Sequence, residues 1–449
     1  MNAMPPSRPR STRRVAALLA MALLLAAALT LAPAAAAAGE TGVERISGDD
    51  RVRTAVAVSR AAGGEADVAL LAERSAFPDA LVAGALAARH DAPLLYTHGA
   101  ALSEPARDEI ARLGVDTVLI LGGPAVVSED VATTLRADGL TVERRAGQDR
   151  YGTAAEIAAD VGTQDEVLLA LGEETARAGG WPDAVAAASL AGTSTTPPTL
   201  LTAHDALPET TRVALETLAP QRVRLLGGDA AISADVATEL EAAGYEVTRA
   251  AGANRYATAT AIAAAALDDL AAGSLRPVAA SGASLPDAVL GGALAARLGE
   301  PFVFAHPTRG EEATHAFLRE RHERWDGLTL VGGEAAVSTF SAGTLAGALA
   351  DEPWSAVAAQ PWEAGWEPRA GWETWEALAQ CESGGRWDLN TGNGFYGGLQ
   401  FHPDSWRAVG GTGLPHEATR EEQIYRGERL QALQGWGAWP HCSRVVGLR

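Results

Sequence analysis

The stretch Thr117-Val118-Leu119-Ile120-Leu121-Gly122-Gly123-Pro124-Ala125-Val126-Val127-Ser128 decides the fold. Five β-prone residues, nearly all apolar, run into a glycine pair, and a serine follows where a helix N-cap belongs. A strand apolar on both faces is the habit of a parallel sheet covered by helices. Working outward, Val68–Ala72, Pro93–Tyr96 and Thr141–Arg144 read as further strands, and Pro78–Arg89, Ser103–Leu113 and Ser128–Ala137 as helices between them. Strict alternation of strand and helix predicts a doubly wound α/β unit.

The unit occurs three times. Gly122-Gly123 returns as Gly227-Gly228 and Gly332-Gly333, and Ser128 as Ser233 and Ser338. Gly48-Asp49-Asp50-Arg51 returns as Gly147-Gln148-Asp149-Arg150 and Gly252-Ala253-Asn254-Arg255, each followed by Thr54, Thr153 or Thr258. Pro78-Asp79-Ala80 returns as Pro182-Asp183-Ala184 and Pro286-Asp287-Ala288. A period of about 100 residues means tandem domains and not a solenoid of small repeats. Leu-Gly-Gly after a strand suggests a nucleotide site, but the GxGxxG pattern and the P-loop lysine are both missing, and a tight strand-to-helix turn is the preferred reading of the glycines. The repeated arginines Arg51, Arg150 and Arg255 either bind an anion or pair with Asp79, Asp183 and Asp287, and the structural ion pair is the preferred reading.

Gly-x-x-Arg, Pro-Asp-Ala, Pro-x-Leu and Leu-Gly-Gly-x-x-x-x-Ser together resemble the type 2 cell-wall-binding repeat of Gram-positive surface proteins, with Val331 in place of leucine in the third copy. The resemblance implies Rossmann-like domains around a pseudo-threefold axis, held noncovalently to an anionic cell-wall polymer. Arg51, Arg150, Arg255, Asp79, Asp183 and Asp287 are then the candidate polymer-binding residues. Two departures put equal binding by the three copies in doubt. The first copy has Arg51-Val52 where the others have Arg-Tyr, and the third ends without a following strand.

Composition sets the compartment. Arg8, Arg10, Arg13 and Arg14 precede an apolar run from Val15 to about Ala32 and small residues up to Ala38, the layout of a secretory signal peptide cleaved near Ala38. An uncleaved anchor is the alternative, since the run is nearly long enough to span a bilayer. With cleavage, no stable membrane anchor remains. Arg13-Arg14 ahead of Val15-Ala16-Ala17 is a weak twin-arginine signal, so the export route stays open. The chain has no lysine, which excludes Schiff-base chemistry, and its net charge of −20 makes nucleic acid a poor partner. Its two cysteines, Cys381 and Cys442, read as a disulfide in an exported protein, worth roughly 4 kcal/mol through loop closure. A CxxC motif is absent, and no metal or cofactor is expected.

Nine of the eleven tryptophans lie from Trp354 onward, which marks a boundary. Residues 351–371, carrying Trp354, Trp362 and Trp366, read as a linker whose aromatics either pack on a neighbouring domain or touch glycan, packing being the preferred reading. Beyond it, Trp375, Leu378 and Ala379 share one helical face with Glu382, and Gly384-Gly385 stops the helix. The helix dipole and partial burial both raise the pKa of a carboxyl placed there, toward that of a usable general acid. Glycines and aromatics from Asn390 to Phe401 suit a sugar-binding loop.

Cys381-Glu382-Ser383-Gly384-Gly385-x-Trp387, Asn390-Thr391-Gly392-Asn393-Gly394-x-Tyr396-Gly397-Gly398-Leu399-Gln400-Phe401, Ala418 to Ile424 and Gln434-Gly435-Trp436-Gly437-Ala438-Trp439-Pro440-x-Cys442 resemble the catalytic domain of actinobacterial resuscitation-promoting factors. That resemblance implies a small, α-rich, lysozyme-like fold acting on peptidoglycan glycan strands, Glu382 as the catalytic acid, and a disulfide between Cys381 and Cys442. Thr391 and Gln400 match glycan-cleft positions, with Asn393, Tyr396 and Trp406 as neighbours. A conventional glycosidase needs a second carboxylate. Asp388 and Asp404 are the nearest, and both read more simply as turn or capping residues. The outcome, lyase or hydrolase, stays open.

The expected organisation is a signal peptide (1–38), three α/β repeats (39–141, 142–246, 247–350), a linker (351–371) and a muralytic domain (372–449). The expected function is a secreted, wall-attached peptidoglycan-cleaving enzyme. The alternatives are a noncatalytic wall protein with a glycan-binding terminal domain and, less favoured, nucleotide-dependent chemistry in the repeats.

Overall fold

The computed structural model describes residues 42–75, 77–173, 181–270, 274–357, 366–411 and 413–448. The signal peptide expected at 1–38 and Trp362 lie outside them. Among the described residues, no helix is long and apolar enough to cross a membrane.

Twelve strands build three four-stranded sheets, parallel throughout: β1 (Val43–Ile46), β2 (Val68–Glu73), β3 (Leu94–Thr97), β4 (Thr117–Leu121), β5 (Thr141–Arg145), β6 (Glu166–Leu171), β7 (Thr199–Thr202), β8 (Arg222–Leu226), β9 (Glu246–Ala250), β10 (Val278–Ser281), β11 (Phe302–Ala305) and β12 (Leu328–Val331). The orders are β3-β2-β4-β5, β7-β6-β8-β9 and β11-β10-β12-β1. β4, β8 and β12 sit inside their sheets, β4 as its nearly continuous apolar sequence requires. The strand that the third copy lacks at its own end is supplied by β1. Val43 pairs with Leu328 and Ile46 with Val331, so the first strand closes the last sheet and the three units form a ring.

The ring is packed through its centre. The helix Leu285–Leu298 of the third copy meets Ala83–His90 of the first and Pro182–Ala186 with Ala188–Ala191 of the second. Small residues allow this approach: a Cβ on Gly84 would lie 3.4 Å from Ala188, and one on Gly192 3.0 Å from the Ala296 carbonyl. One hydrophobic cluster therefore runs through all three copies. Buried polar contacts cross the seams, Tyr96 Oη donating to the Pro286 carbonyl (2.9 Å) and the Phe302 N–H to Ser189 Oγ (2.9 Å). The continuous helix expected over 78–89 is instead a short 3₁₀ turn, Phe77–Asp79, followed by Ala83–His90.

Each Gly-x-x-Arg motif is a helix start. Asp50, Asp149 and Asn254 are N-caps, accepting from the backbone N–H of Arg53, Gly152 and Ala257 at 2.8, 2.9 and 2.9 Å. The glycine N–H at 48, 147 and 252 donates to the hydroxyl of Thr54, Thr153 and Thr258. Ser128, Ser233 and Ser338 hold N-cap positions as expected, and of the three Ser338 carries the side-chain capping bond, to the Ser341 N–H.

Beyond the repeats, Trp354 packs its ring 5.2 Å from that of His315 on the third copy, and Trp366 lies edge-on to Trp372 and Tyr425 in the terminal domain. The terminal domain is helical, with Trp372–Ser383, Pro403–Ala408, Arg420–Gln434 and Cys442–Val445 around a core of Trp375, Leu378, Leu399, Phe401, Ile424 and Trp439. It abuts the loop after β11, where a Cβ on Gly410 would fall 2.3 Å from Thr308.

Candidate functional site

Glu382 occupies the last turn of the helix Trp372–Ser383. Trp375, Leu378 and Ala379 bury the inner face as their spacing predicts. Gly384, left-handed at φ 69°, ends the helix; its N–H and that of Gly385 donate to the Gln380 and Ala379 carbonyls, 3.1 Å each. Glu382 is half-buried, and burial pushes its carboxyl above the ordinary carboxylate range. The imidazole of His441 acts in the opposite direction. Cys381 and Cys442 form the expected disulfide, with Cα atoms 5.7 Å apart.

The helix continues into a segment stitched to the glycine-rich loop. Gly397 N–H donates to the Leu389 carbonyl (2.8 Å), and Tyr396 and Phe401 exchange backbone bonds at 3.0 and 2.9 Å. Gln423, fully buried, clamps the assembly: its Oε1 accepts from Gly398 N–H (2.8 Å) and its Nε2 donates to the carbonyls of Trp387 (2.8 Å) and Ala418 (3.0 Å). A Cβ at Gly397 would collide with Gln423 Oε1 at 2.2 Å, and one at Gly398 with the Trp387 ring at 2.3 Å. These two glycines thus serve the domain's own packing, whereas Gly392 and Gly394, both left-handed, face open space. Gln423 lies inside the Ala418–Ile424 motif, so its position was in view, but nothing in the spacing announced a buried amide.

Of the other site candidates, Thr391 and Asn393 are exposed, and Asn393 Oδ1 accepts from the Phe395 N–H (3.0 Å), shaping the loop tip. Tyr396 stacks on His416 at 5.4 Å. Gln400 is half-buried in a left-handed conformation, φ 49°, with its amide donating to the Gly397 carbonyl (2.9 Å). Strain of that kind in a non-glycine residue tends to gather at working sites. Trp406 departs from expectation: it is fully buried, edge-on to Phe401 at 5.1 Å, and builds the core in place of a glycan-facing wall. Phe395, 45% exposed, supplies an open aromatic face that sequence reasoning passed over. Asp388 is exposed, and Asp404 is exposed and paired with Arg407.

In the repeats, the arginine and aspartate motifs meet across copies. Arg150 acts on Asp79, Arg255 on Asp183 and Arg51 on Asp287. Burial, the larger effect, raises all three carboxyls, Asp183 to about 7. Each carboxylate sits beneath a Gly-Gly turn, where a Cβ on Gly122, Gly227 or Gly332 would come within 2.7, 2.4 or 2.9 Å of it. Each arginine also donates to a strand-end carbonyl, of Arg74 (3.3 Å), Gly172 (2.6 Å) or Gly282 (2.6 Å). Between the third and first copies, Arg51, Asp287, Ser281, Ser284, Pro307 and Gly333 line a cleft of about 450 Å³. It opens at the carboxyl ends of β10 and β12, on either side of which the connections run in opposite directions, the usual ligand position in such sheets.

Comparison with known proteins places both regions. Residues 45–132, 144–237 and 249–341 match cell wall binding domain 2, and residues 370–442 match a transglycosylase-like domain. The resuscitation-promoting factor Rpf of Micrococcus luteus is 66% identical over 76 residues, 17% of this chain and 34% of that protein. Rpf2 of Corynebacterium glutamicum is 59% identical over 78 residues, 17% and 21% of the two chains, so this chain covers only about a third of the first relative's length and about a fifth of the second's. The N-acetylmuramoyl-L-alanine amidase LytC of Bacillus subtilis is 28% identical over 310 residues, 69% of this chain and 59% of LytC. Among solved structures, Cwp6 and Cwp8 from Clostridium difficile each align with a TM-score of 0.59, at 23% and 24% identity, covering 68% and 70% of this chain and 48% and 52% of theirs; they show the same fold. With three repeats that together take up more than half of its length, ahead of a transglycosylase-like domain, the chain belongs to the cell wall binding domain 2 family.

Proposed function

We propose that this protein is an exported, wall-attached enzyme that cleaves peptidoglycan glycan strands at the bond after N-acetylmuramic acid. The observation that carries the reading is Glu382: a half-buried carboxyl held toward its protonated form, on a helix end tied down by a disulfide. A protonated carboxyl there donates its proton to the glycosidic oxygen as that bond breaks. The resulting carboxylate then takes a proton from the attacking hydroxyl. If that hydroxyl is the muramyl 6-OH the product is a 1,6-anhydro sugar; if it is water, a reducing end. Asp388 and Asp404 stand exposed, Asp404 in an ion pair, which favours one acid acting twice over a conventional carboxylate pair. Thr391, Asn393, Tyr396 and Gln400 are the residues assigned to the sugar chain.

The repeats are assigned to retention. The cleft holding Arg51 and Asp287 is the site we assign to an anionic wall polymer, with Arg150, Asp79, Arg255 and Asp183 at the corresponding seams. Holding the enzyme on its substrate raises effective concentration without a new catalytic contact. The names of several curated relatives of the terminal domain carry resuscitation, and a role in renewed growth comes to this chain from them alone.

Zymography on purified peptidoglycan with the native chain and Glu382→Gln tests the enzyme reading. Clearing by the native chain and none by the variant is expected; clearing by both, or by neither, leaves a glycan-binding wall protein in its place. Mass spectrometry of the released muropeptides then separates anhydro from hydrolysed ends.

A further inference from the structure

His416 stands at the flank of the glycine-rich loop and touches both ends of it. It belongs to a one-turn 3₁₀ segment, Pro415–Glu417, just ahead of the helix Arg420–Gln434. Its ring stacks on that of Tyr396, with centroids 5.4 Å apart and planes 24° from parallel. Its Nε2 lies 3.4 Å from the side-chain nitrogen of Asn390. Asn390 Oδ1 accepts from the Gly392 N–H (3.1 Å), so the amide N–H is the edge turned toward the imidazole, and Nε2 accepts from it. The ring proton is thereby assigned to Nδ1, which is buried with no hydrogen-bond partner among the described residues. One side chain thus meets the residue that opens the loop and the residue that closes it, two positions that also form a backbone bridge. Between them Thr391, Gly392, Asn393 and Phe395 are exposed.

We propose that His416 is a positioning residue for the sugar chain, bracing Asn390 and Tyr396 so that the tip between them keeps the shape that receives glycan. The brace is itself fixed. Leu414 N–H donates to Glu417 Oε2 (2.9 Å), Pro415 is buried, and Gln423 Nε2 holds the Ala418 carbonyl (3.0 Å). The base of the loop is held without His416, by the bonds of Gly397 to the Leu389 carbonyl and of Gln423 to Gly398 and Trp387. Those bonds fix backbone, whereas the plane of the Tyr396 ring is set by the ring it lies on. An aromatic ordered in advance binds more tightly, because less freedom remains to be lost when a ligand arrives. At 3.4 Å the bond to Asn390 is long, so the stack is the stronger of the two ties.

The inference rests on the reading that this loop receives peptidoglycan glycan, and the experiment scores binding apart from cleavage. In the full chain carrying Glu382→Gln, affinity for triacetylchitotriose is measured by titration calorimetry with the native His416, with His416→Ala and with His416→Phe. This sugar is soluble and uncharged, and so offers the repeats no anion to hold. His416→Ala should weaken binding by about five- to tenfold, the worth of one aromatic stack. His416→Phe, which keeps the stack and loses the bond, should stay within about threefold of native. With Glu382 intact, His416→Ala should raise the half-saturating concentration of purified peptidoglycan stripped of its anionic polymers by a similar factor, while the maximal rate stays within about twofold. A side chain that merely stabilised the domain would instead lower the maximal rate with the folded fraction. Equal affinity in all three chains, or equal loss in His416→Ala and His416→Phe, overturns the proposal. No binding by any of them, native His416 included, removes the glycan reading of the loop and the proposal with it, whereas cleavage retained by Glu382→Gln strikes only at the assignment of the acid.

Discussion

Four half-buried carboxyls in two regions of this chain meet the same pressure and are put to different uses. Asp79, Asp183 and Asp287 in the repeats and Glu382 in the terminal domain are all raised by burial. What differs is the cation opposite. Each repeat aspartate is faced by an arginine from the next copy, which stays charged at every working pH. Against Glu382 the opposing influence is that of His441, an exposed residue at the start of the last helix. In the repeats the result is a seam between copies, locked under Gly-Gly turns too tight to admit even a methyl group. In the terminal domain it is an acid at a helix end, beside an exposed loop with an open aromatic face. Burial prepares a carboxyl to hold a proton; its neighbour and its access decide whether the proton can be given away.

The sharpest way to break this contrast is to remove the acid that is meant to react. Glu382→Gln should lower peptidoglycan cleavage by at least about a hundredfold, the span of general acid catalysis, while co-sedimentation with purified sacculi stays unchanged. Loss of sedimentation together with cleavage would mean that the two regions do not divide the work. Next in size is the cross-link that only one region has. Cys442→Ala should destabilise the terminal domain by roughly 4 kcal/mol on the loop-closure account. Most tryptophans lie there, so the unfolding transition followed by tryptophan fluorescence should move, and the far-UV transition dominated by the repeats should not.

Of the three seam aspartates, Asp183 carries the largest titration signature. Its folded value of about 7 stands above the ordinary 3.8 expected when unfolded. The folded state thus binds a proton that the unfolded chain releases. Its contribution is fully present below about pH 4, is lost as pH rises toward 7, and amounts to at most about 4 kcal/mol. Asp183→Asn should flatten the fall in unfolding free energy between pH 4 and 7, measured by chemical denaturation. A slope identical to the native one would show that this carboxyl is not held neutral by its seam.

How far these seams could be read in advance varies with the residue. Strand positions followed from apolar runs, and β4 falls at Thr117–Leu121 as its composition dictates. The end of the Glu382 helix at Gly384 followed from local chemistry alone, whereas the N-cap role of Asp50, Asp149 and Asn254 was not read from the sequence, where the arginine beside them drew the attention. Which copy an arginine would face was not legible. A repeat pattern gives Arg and Asp in every copy, and only the closed ring shows that Arg150 meets Asp79 and Arg51 meets Asp287. The same closure hid the role of Val43–Ile46, a strand whose partner lies some 285 residues away in sequence. In the terminal domain, Trp406 illustrates the reverse limit: an aromatic beside a sugar-binding motif reads as a stacking platform until its neighbours show it filling the core.

The smallest effect tests the cation itself. Arg255 has two tasks, donating to the Gly282 carbonyl at 2.6 Å and facing Asp183. The first is independent of pH; the second matters only when Asp183 is charged. Arg255→Gln should therefore cost more stability at pH 8 than at pH 5, by about 1 kcal/mol given the partial exposure of the arginine. In the Asp183→Asn background that difference should vanish, because no anion remains to be left unpaired. A pH-independent cost in both backgrounds would show that Arg255 does not act on the Asp183 charge, and would remove the claim that the repeats oppose their raised carboxyls with a permanent cation.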